Sequence, residues 1–471
     1  MNSRRNTASE GILPTSKGST RLENFEFTRG NVWIAYLLIF CLFIFIFRHT
    51  ILSRGRSIGN LDVVDASAAV DIAVVGLAGF IVTLNGLFGR MPLWSSIVKT
   101  SALWLVLYYL FCGVSSLWST IPVYSLYRSG EYLILFIATL TAVIQFKDFT
   151  RAERAFCRIA IGTILLDMCV TIRYYGFSLS PAIWHNTTYS VSSGMLFCYC
   201  LGEYMALGKV KRAETKTRAR LLLGCGIFSL CTLALAASSG SNIATAVGCL
   251  VIFLALRRYV LLYVGLTVGL VLFLWGVGGD TIQSLLFPGK SASNIKNVTG
   301  RMFLWELLWR RFLERPVAGY GFGLVGKISG GMATHSHNSF FTVLIGTGSV
   351  GLFWIGMFTT HLWWTAISRF WRRGPGTAGF AGAMAGAFVN SMSLPVMADR
   401  WTTYSIVFVW LLGLFLLHMR NDGNRTRVLA KKSAYAFEKF KQSRMSGVLG
   451  KARSGESPKR MFPEKYTTTP A

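Results

Sequence analysis

The chain has 471 residues, of which 52% are hydrophobic and only 14% charged, and it carries a formal net charge of +28. That balance excludes a soluble globular protein, because the apolar residues gather in runs near the roughly 20 needed to span hydrocarbon. It also argues against nucleic acid as a partner: the surplus Lys and Arg lie in tails and short loops, without a recognisable binding fold or stacking aromatics at regular spacing.

Residues 1–30 are polar and of mixed charge, and they lack the short apolar core of a cleaved signal peptide. The first apolar run is therefore expected to be retained as a membrane helix. Apolar runs predict spans over 31–47, 70–88, 97–116, 127–146, 155–172, 189–208, 221–238, 241–256, 259–277, 341–367, 377–396 and 401–419. The expected fold is an all-α polytopic membrane protein of about 12 transmembrane helices. Its divisions are a cytoplasmic tail (1–30), helices 1–9 (31–277), a long periplasmic loop (278–340), helices 10–12 (341–419) and a basic tail (420–471) expected to be disordered.

Alternation of the spans puts Lys147–Arg154, Lys209–Arg220, Arg257–Arg258, Arg369–Arg373 and the tail from Arg420 on one side. Basic residues collect on the cytoplasmic side, so both termini are expected there. The loop Arg48–Arg56 is the exception, placing three arginines outside. All 9 cysteines fall in or beside apolar runs and read as small hydrophobes, with no disulfide and no thiol-based metal site expected.

The exterior loop concentrates the chemistry. Gly300–Glu314 is expected to form an amphipathic helix lying at the membrane interface, with Met302, Phe303, Trp305 and Trp309 among its apolar residues and Arg310, Arg311 and Glu314 among its polar ones. Three motifs follow one another: Thr299-Gly-Arg301 with Trp305, then Arg315-Pro316 leading to Gly319-Tyr320-Gly321-Phe322-Gly323, then His335-Ser336-His337-Asn338. The glycine run has no preceding strand and so is no nucleotide fingerprint; its glycines suit a tight turn with close backbone approach. Two histidines can share a metal ion, but the motif offers no third ligand and no carboxylate, so no metal is expected.

The order of these motifs, with Gly346-Thr347-Gly348 and Gly351 after them and Ser116-Leu117-Trp118-Ser119, Pro122 and Arg128 before them, resembles the O-antigen ligase and polymerase superfamily, in particular its exopolysaccharide polymerase branch. The similarity extends in helix count over about residues 31–420, while the motifs cover far less. It implies a multi-pass protein of the bacterial cytoplasmic membrane that transfers saccharide from an undecaprenyl-diphosphate carrier to a sugar hydroxyl. No cofactor is implied; the partners implied are the lipid-linked saccharide, membrane lipids and other polysaccharide assembly proteins.

The resemblance implies His337 as general base, a task that an imidazole titrating near neutrality suits. It implies that Arg301 stabilises the diphosphate leaving group, which a guanidinium fork at a helix start can grip through two oxygens. The competing reading of His337 is a helix cap, and that of Arg301 is snorkelling to headgroups. Arg128, Arg315, His335, Asn338 and Tyr320 are the further candidates for substrate binding. The sequence departs from the family at Ser238-Ser-Gly-Ser-Asn242, where Asn242 stands in place of an arginine expected to face the diphosphate.

Three rivals remain at this level. A ligase would move finished chains to another acceptor. A transporter or flippase would place charge near the bilayer midplane, where Asp167 and Glu203 are among the few acids inside predicted spans. A scaffold would recruit partners through the basic tail.

Overall fold

The computed structural model describes residues 32–51, 66–88, 97–146, 148–176, 184, 187–207, 213–236, 238–276, 301–330, 336–373, 377–396 and 401–419. Among these it is all-helical. The helices are α1 (Val32–Ile51), α2 (Ala66–Phe88), α3 (Ala102–Val114), α4 (Pro122–Gln145), α5 (Phe149–Tyr175), α6 (Thr187–Leu207), α7 (Ala213–Ala236), α8 (Ser239–Ala255), α9 (Tyr259–Gly276), α10 (Arg301–Glu314), the single turn α11 (Val325–Ile328), α12 (Ser339–Arg373) and α13 (Ala378–Asn390). A last helix, α14, spans Thr403–Met419.

A chain in hydrocarbon must satisfy its backbone within the segment, so apolar runs become helices. Among the described residues, α2, α4, α5, α7 and α12 are long and apolar enough to cross a membrane. The protein is a multi-pass membrane protein. Helix starts follow local chemistry: Pro122 opens α4, where its missing N–H costs nothing. The Asp148 side chain caps α5 by accepting from the Thr150 amide at 3.1 Å.

Packing falls into two groups. In one, α1 and α2 pack on α4, and α3 packs on α4 and α12; in the other, α6 packs on α7, α8 and α13, and α8 packs on α13. Helix α14 runs through the interior, with Ile406, Val407, Trp410, Leu411 and Leu412 all buried, as expected of a helix that is apolar on every side. Helix α13 makes its close approaches through small residues. A Cβ on Gly248 of α8 would sit 2.7 Å from the Gly382 carbonyl oxygen of α13, so the two backbones touch.

Two features differ from the sequence expectation. Arg48 does not sit in an exterior loop: it lies buried in the last turn of α1, paired with Asp71 of α2 at 2.7 Å. Arg54 and Arg56 lie outside the described residues. The apolar run 341–367 is not one regular helix, because α12 breaks at Gly348 (φ 65, ψ −161).

The acids inside predicted spans are engaged. Arg218 of α7 bridges Glu153 of α5 and Glu203 of α6 at 2.5 and 2.8 Å. Asp167 accepts from the Thr403 hydroxyl at 2.9 Å.

Candidate functional site

The site is built where α10, the start of α12 and the turn after α13 meet. Helix α10 forms over 301–314 as expected, with Leu304 and Leu308 buried against Tyr320, Val325 and Ile345, while Met302, Phe303 and Trp309 are exposed. Trp305 docks it: the indole N–H donates to the Ser336 carbonyl at 2.9 Å, and the ring stacks on Phe341 with centroids 5.8 Å apart.

Next to that anchor, His337 occupies left-handed backbone (φ 55), which non-glycine residues rarely adopt. Its neighbours hold it there. The Ser336 hydroxyl contacts the Thr342 hydroxyl at 2.6 Å and receives the Asn338 amide at 3.1 Å. Asn338 caps α12, its Oδ1 accepting from the amides of Phe340 (2.8 Å) and Phe341 (3.3 Å), while its Nδ2 donates to the Met392 carbonyl at 3.2 Å. Ser339 ties the same turn to Ser391 and Leu394, through its amide at 2.8 Å and its hydroxyl at 3.1 Å. The capping thus falls to Asn338 and leaves the half-buried imidazole of His337 outside the cap.

Arg301, the first residue of α10, donates to the Ser393 carbonyl at 3.3 Å. No carboxylate among the described residues pairs with it, and burial pulls its guanidinium below the ordinary arginine range. Burial first, and then the positive charge of Arg301, push the His337 imidazole below its usual range. The pairing leaves a neutral imidazole beside a cation without a counter-ion, which can accept a proton while negative charge is held close by.

The start of α8 completes the surroundings. A Cβ on Gly240 would come within 3.2 Å of the Ser393 hydroxyl, and Ser241 contacts Ser190 at 2.9 Å and Asn390 at 3.4 Å. Asn242 lies exposed on this first turn.

The remaining candidates are placed differently. Arg128 of α4 is spoken for by Glu131 at 2.6 Å and lies beneath the glycine run, whose Gly323 would bring a Cβ to 3.5 Å from its Cγ. Arg315 is exposed and lies 5.0 Å over the Tyr320 ring. The Tyr320 hydroxyl donates to Glu314 at 2.5 Å, which closes the end of α10 and holds the Glu314 carboxyl below its ordinary range. His335 lies outside the described residues.

The glycine run approaches a neighbouring helix. Tyr320 and Gly321 donate to the carbonyls of Ile345 and Gly346 at 2.8 and 2.9 Å, and Ser349 donates to Pro316 at 2.9 Å, so the 316–321 backbone supplies partners at the α12 break. Sequence reasoning missed the turn Ser391-Met392-Ser393-Leu394, which receives Arg301, Asn338 and Ser339. The signal was present: Asn390 to Pro395 is a polar stretch ending in proline within what reads as one apolar span.

Residues 224–356 match the family model described as O-Antigen ligase. Over that segment the chain is similar to O-antigen ligases. The matched segment holds the start of α8, Arg301, Trp305, the glycine run, His337 and the break in α12, and the match supports the resemblance to the O-antigen ligase/polymerase superfamily. The turn at 391–394 and Arg128 lie outside the match. No curated protein matches the chain.

Proposed function

We propose that this protein is a glycan polymerase of the exopolysaccharide branch. It elongates saccharide carried on undecaprenyl diphosphate at the periplasmic face of the bacterial inner membrane. On this reading the chain makes about 12 crossings, with both termini cytoplasmic and 278–340 as the exterior catalytic loop.

The observation that carries the reading is the joining of the helix start that bears Arg301 to the turn that bears His337, through Trp305 and the 391–394 turn. The acceptor hydroxyl gives its proton to the His337 imidazole and its oxygen attacks the anomeric carbon of the donor. The bond from that carbon to the diphosphate oxygen breaks, and the electron pair leaves on the diphosphate, whose charge Arg301 stabilises. One displacement inverts the anomeric configuration. No step requires a metal. Asn338, Trp305 and Ser339 act as positioning residues for the two reacting side chains, and Asn242, exposed on the neighbouring turn, hydrogen-bonds the glycan.

A ligase reading is favoured by the description of the matching family model. Purified full-length protein given a synthetic undecaprenyl-diphosphate repeat unit as both donor and acceptor separates the two. A ladder of lipid-linked oligomers supports the polymerase, whereas transfer only to an added non-carrier acceptor supports the ligase.

A further inference from the structure

A second polar site lies inside the membrane domain, between α1, α2 and α4. Arg48, Asp71 and Glu131 are buried to 4%, 6% and 1% exposure, and Tyr127 and Arg128 complete the group. Electrostatics link Arg48, Asp71 and Tyr127 to Glu131 and Arg128. Glu131 is nine residues into α4, about 13 Å along its axis, a depth where ionisable groups are costly and usually functional.

The ion pairs use only part of the hydrogen-bonding capacity. Arg48 reaches the Asp71 Oδ2 oxygen at 2.7 Å and the Phe45 carbonyl, and Arg128 reaches Glu131 Oε2 at 2.6 Å. Four buried polar atoms are left over: Arg48 Nε, Asp71 Oδ1, Tyr127 OH and Glu131 Oε1. Two of these are donors and two are acceptors. Buried groups of this kind are normally paired, because leaving one unmade costs its full desolvation.

The charges settle the class of ligand. Two arginines balance two carboxylates, so neither an anion nor a metal cation gains net charge compensation. A phosphate would meet the two carboxylates, and a cation would meet the two guanidinium groups. A hydroxyl group, which donates and accepts at once, matches the leftover set. We infer that Arg48, Asp71, Tyr127 and Glu131 form a binding site for a neutral hydroxyl-bearing molecule in the outer half of the membrane domain. That hydroxyl comes either from the sugar of a lipid-linked glycan, which rests on the function proposed above, or from an ordered water.

Tyr127→Phe removes one donor without disturbing either ion pair. The full-length protein in nanodiscs is titrated with two probes, a synthetic undecaprenyl diphosphate bearing a disaccharide and the same lipid without sugar. With a sugar hydroxyl in the site, the variant loses about three- to tenfold affinity for the glycosylated lipid and none for the bare lipid. With water in the site, both affinities hold, and a high-resolution map of the ligand-free protein shows density within hydrogen-bond reach of Arg48 Nε and Glu131 Oε1. Unchanged affinities without that density, or equal loss for both lipids, overturn the inference. Wild-type protein that binds neither lipid contradicts the proposed transferase, and the map then decides the hydroxyl site alone.

Discussion

The indole N–H of Trp305 donates to the backbone carbonyl of Ser336 at 2.9 Å, fixing the helix that begins with Arg301 against the turn that carries His337. A single hydrogen bond thereby couples the two motifs, 31 residues apart.

Replacing Trp305 by Phe keeps the ring stack on Phe341 and removes the donor. Because small misplacements of reacting groups cost much rate, kcat for glycan transfer is expected to fall by about ten- to a hundredfold. Donor KM should stay near its wild-type value and expression should be normal. An unchanged kcat in purified protein rejects the coupling.

The break in α12 makes a prediction about stability. Gly348 combines φ 65 with ψ −161, backbone essentially reserved for glycine, and a Cβ there would press on Val317 and Ala318. Gly348→Ala is expected to cost more than the about 1–3 kcal/mol of backbone strain alone. Gly330 also has positive φ (66), but nothing lies within 4 Å of the Cβ it would gain, so Gly330→Ala should cost only about 1 kcal/mol. Thermal unfolding in detergent should rank the pair in that order.

The lowered pKa of His337 sets the direction of the pH dependence. A base works in its deprotonated form, so kcat/KM should rise with pH, reach its plateau below the range of an ordinary histidine and stay flat through pH 7. Part of the depression comes from the charge of Arg301. Arg301→Met should therefore move the midpoint upward as well as slowing transfer, whereas Arg301→Lys should leave it close to wild type. A midpoint that ignores the charge at residue 301 separates the two groups electrostatically.

Geometry at Arg301 is tested by the same lysine variant. A guanidinium holds two phosphate oxygens in one plane, while an ammonium supplies only a point charge. Arg301→Lys should lose most transfer activity and Arg301→Ala nearly all of it. Full activity of the lysine variant shows that charge alone suffices.

Much of this fold was legible because hydrocarbon leaves the backbone few options. The apolar runs fall on helices, and the mixed polar and apolar pattern of 300–314 marked α10 correctly. The polar turn at 391–394 was hidden because its carbonyls find partners in other segments while its hydroxyls bond back to Ala387 and Asn390, so it survives inside an apolar stretch. Arg128 was partly legible, since Glu131 lies one helical turn on, at the spacing of an ion pair. The Arg48–Asp71 pair joins residues 23 apart across two helices, and nothing in the local sequence announces it.

The most direct test of the paired mechanism is single-turnover transfer by purified His337→Ala, with donor binding measured in the same preparation. The variant is expected to bind the undecaprenyl-diphosphate donor as wild type does and to lose about 10²- to 10⁴-fold in transfer rate, the usual contribution of a positioned base. Transfer at the wild-type rate by a folded, donor-binding His337→Ala protein would contradict it.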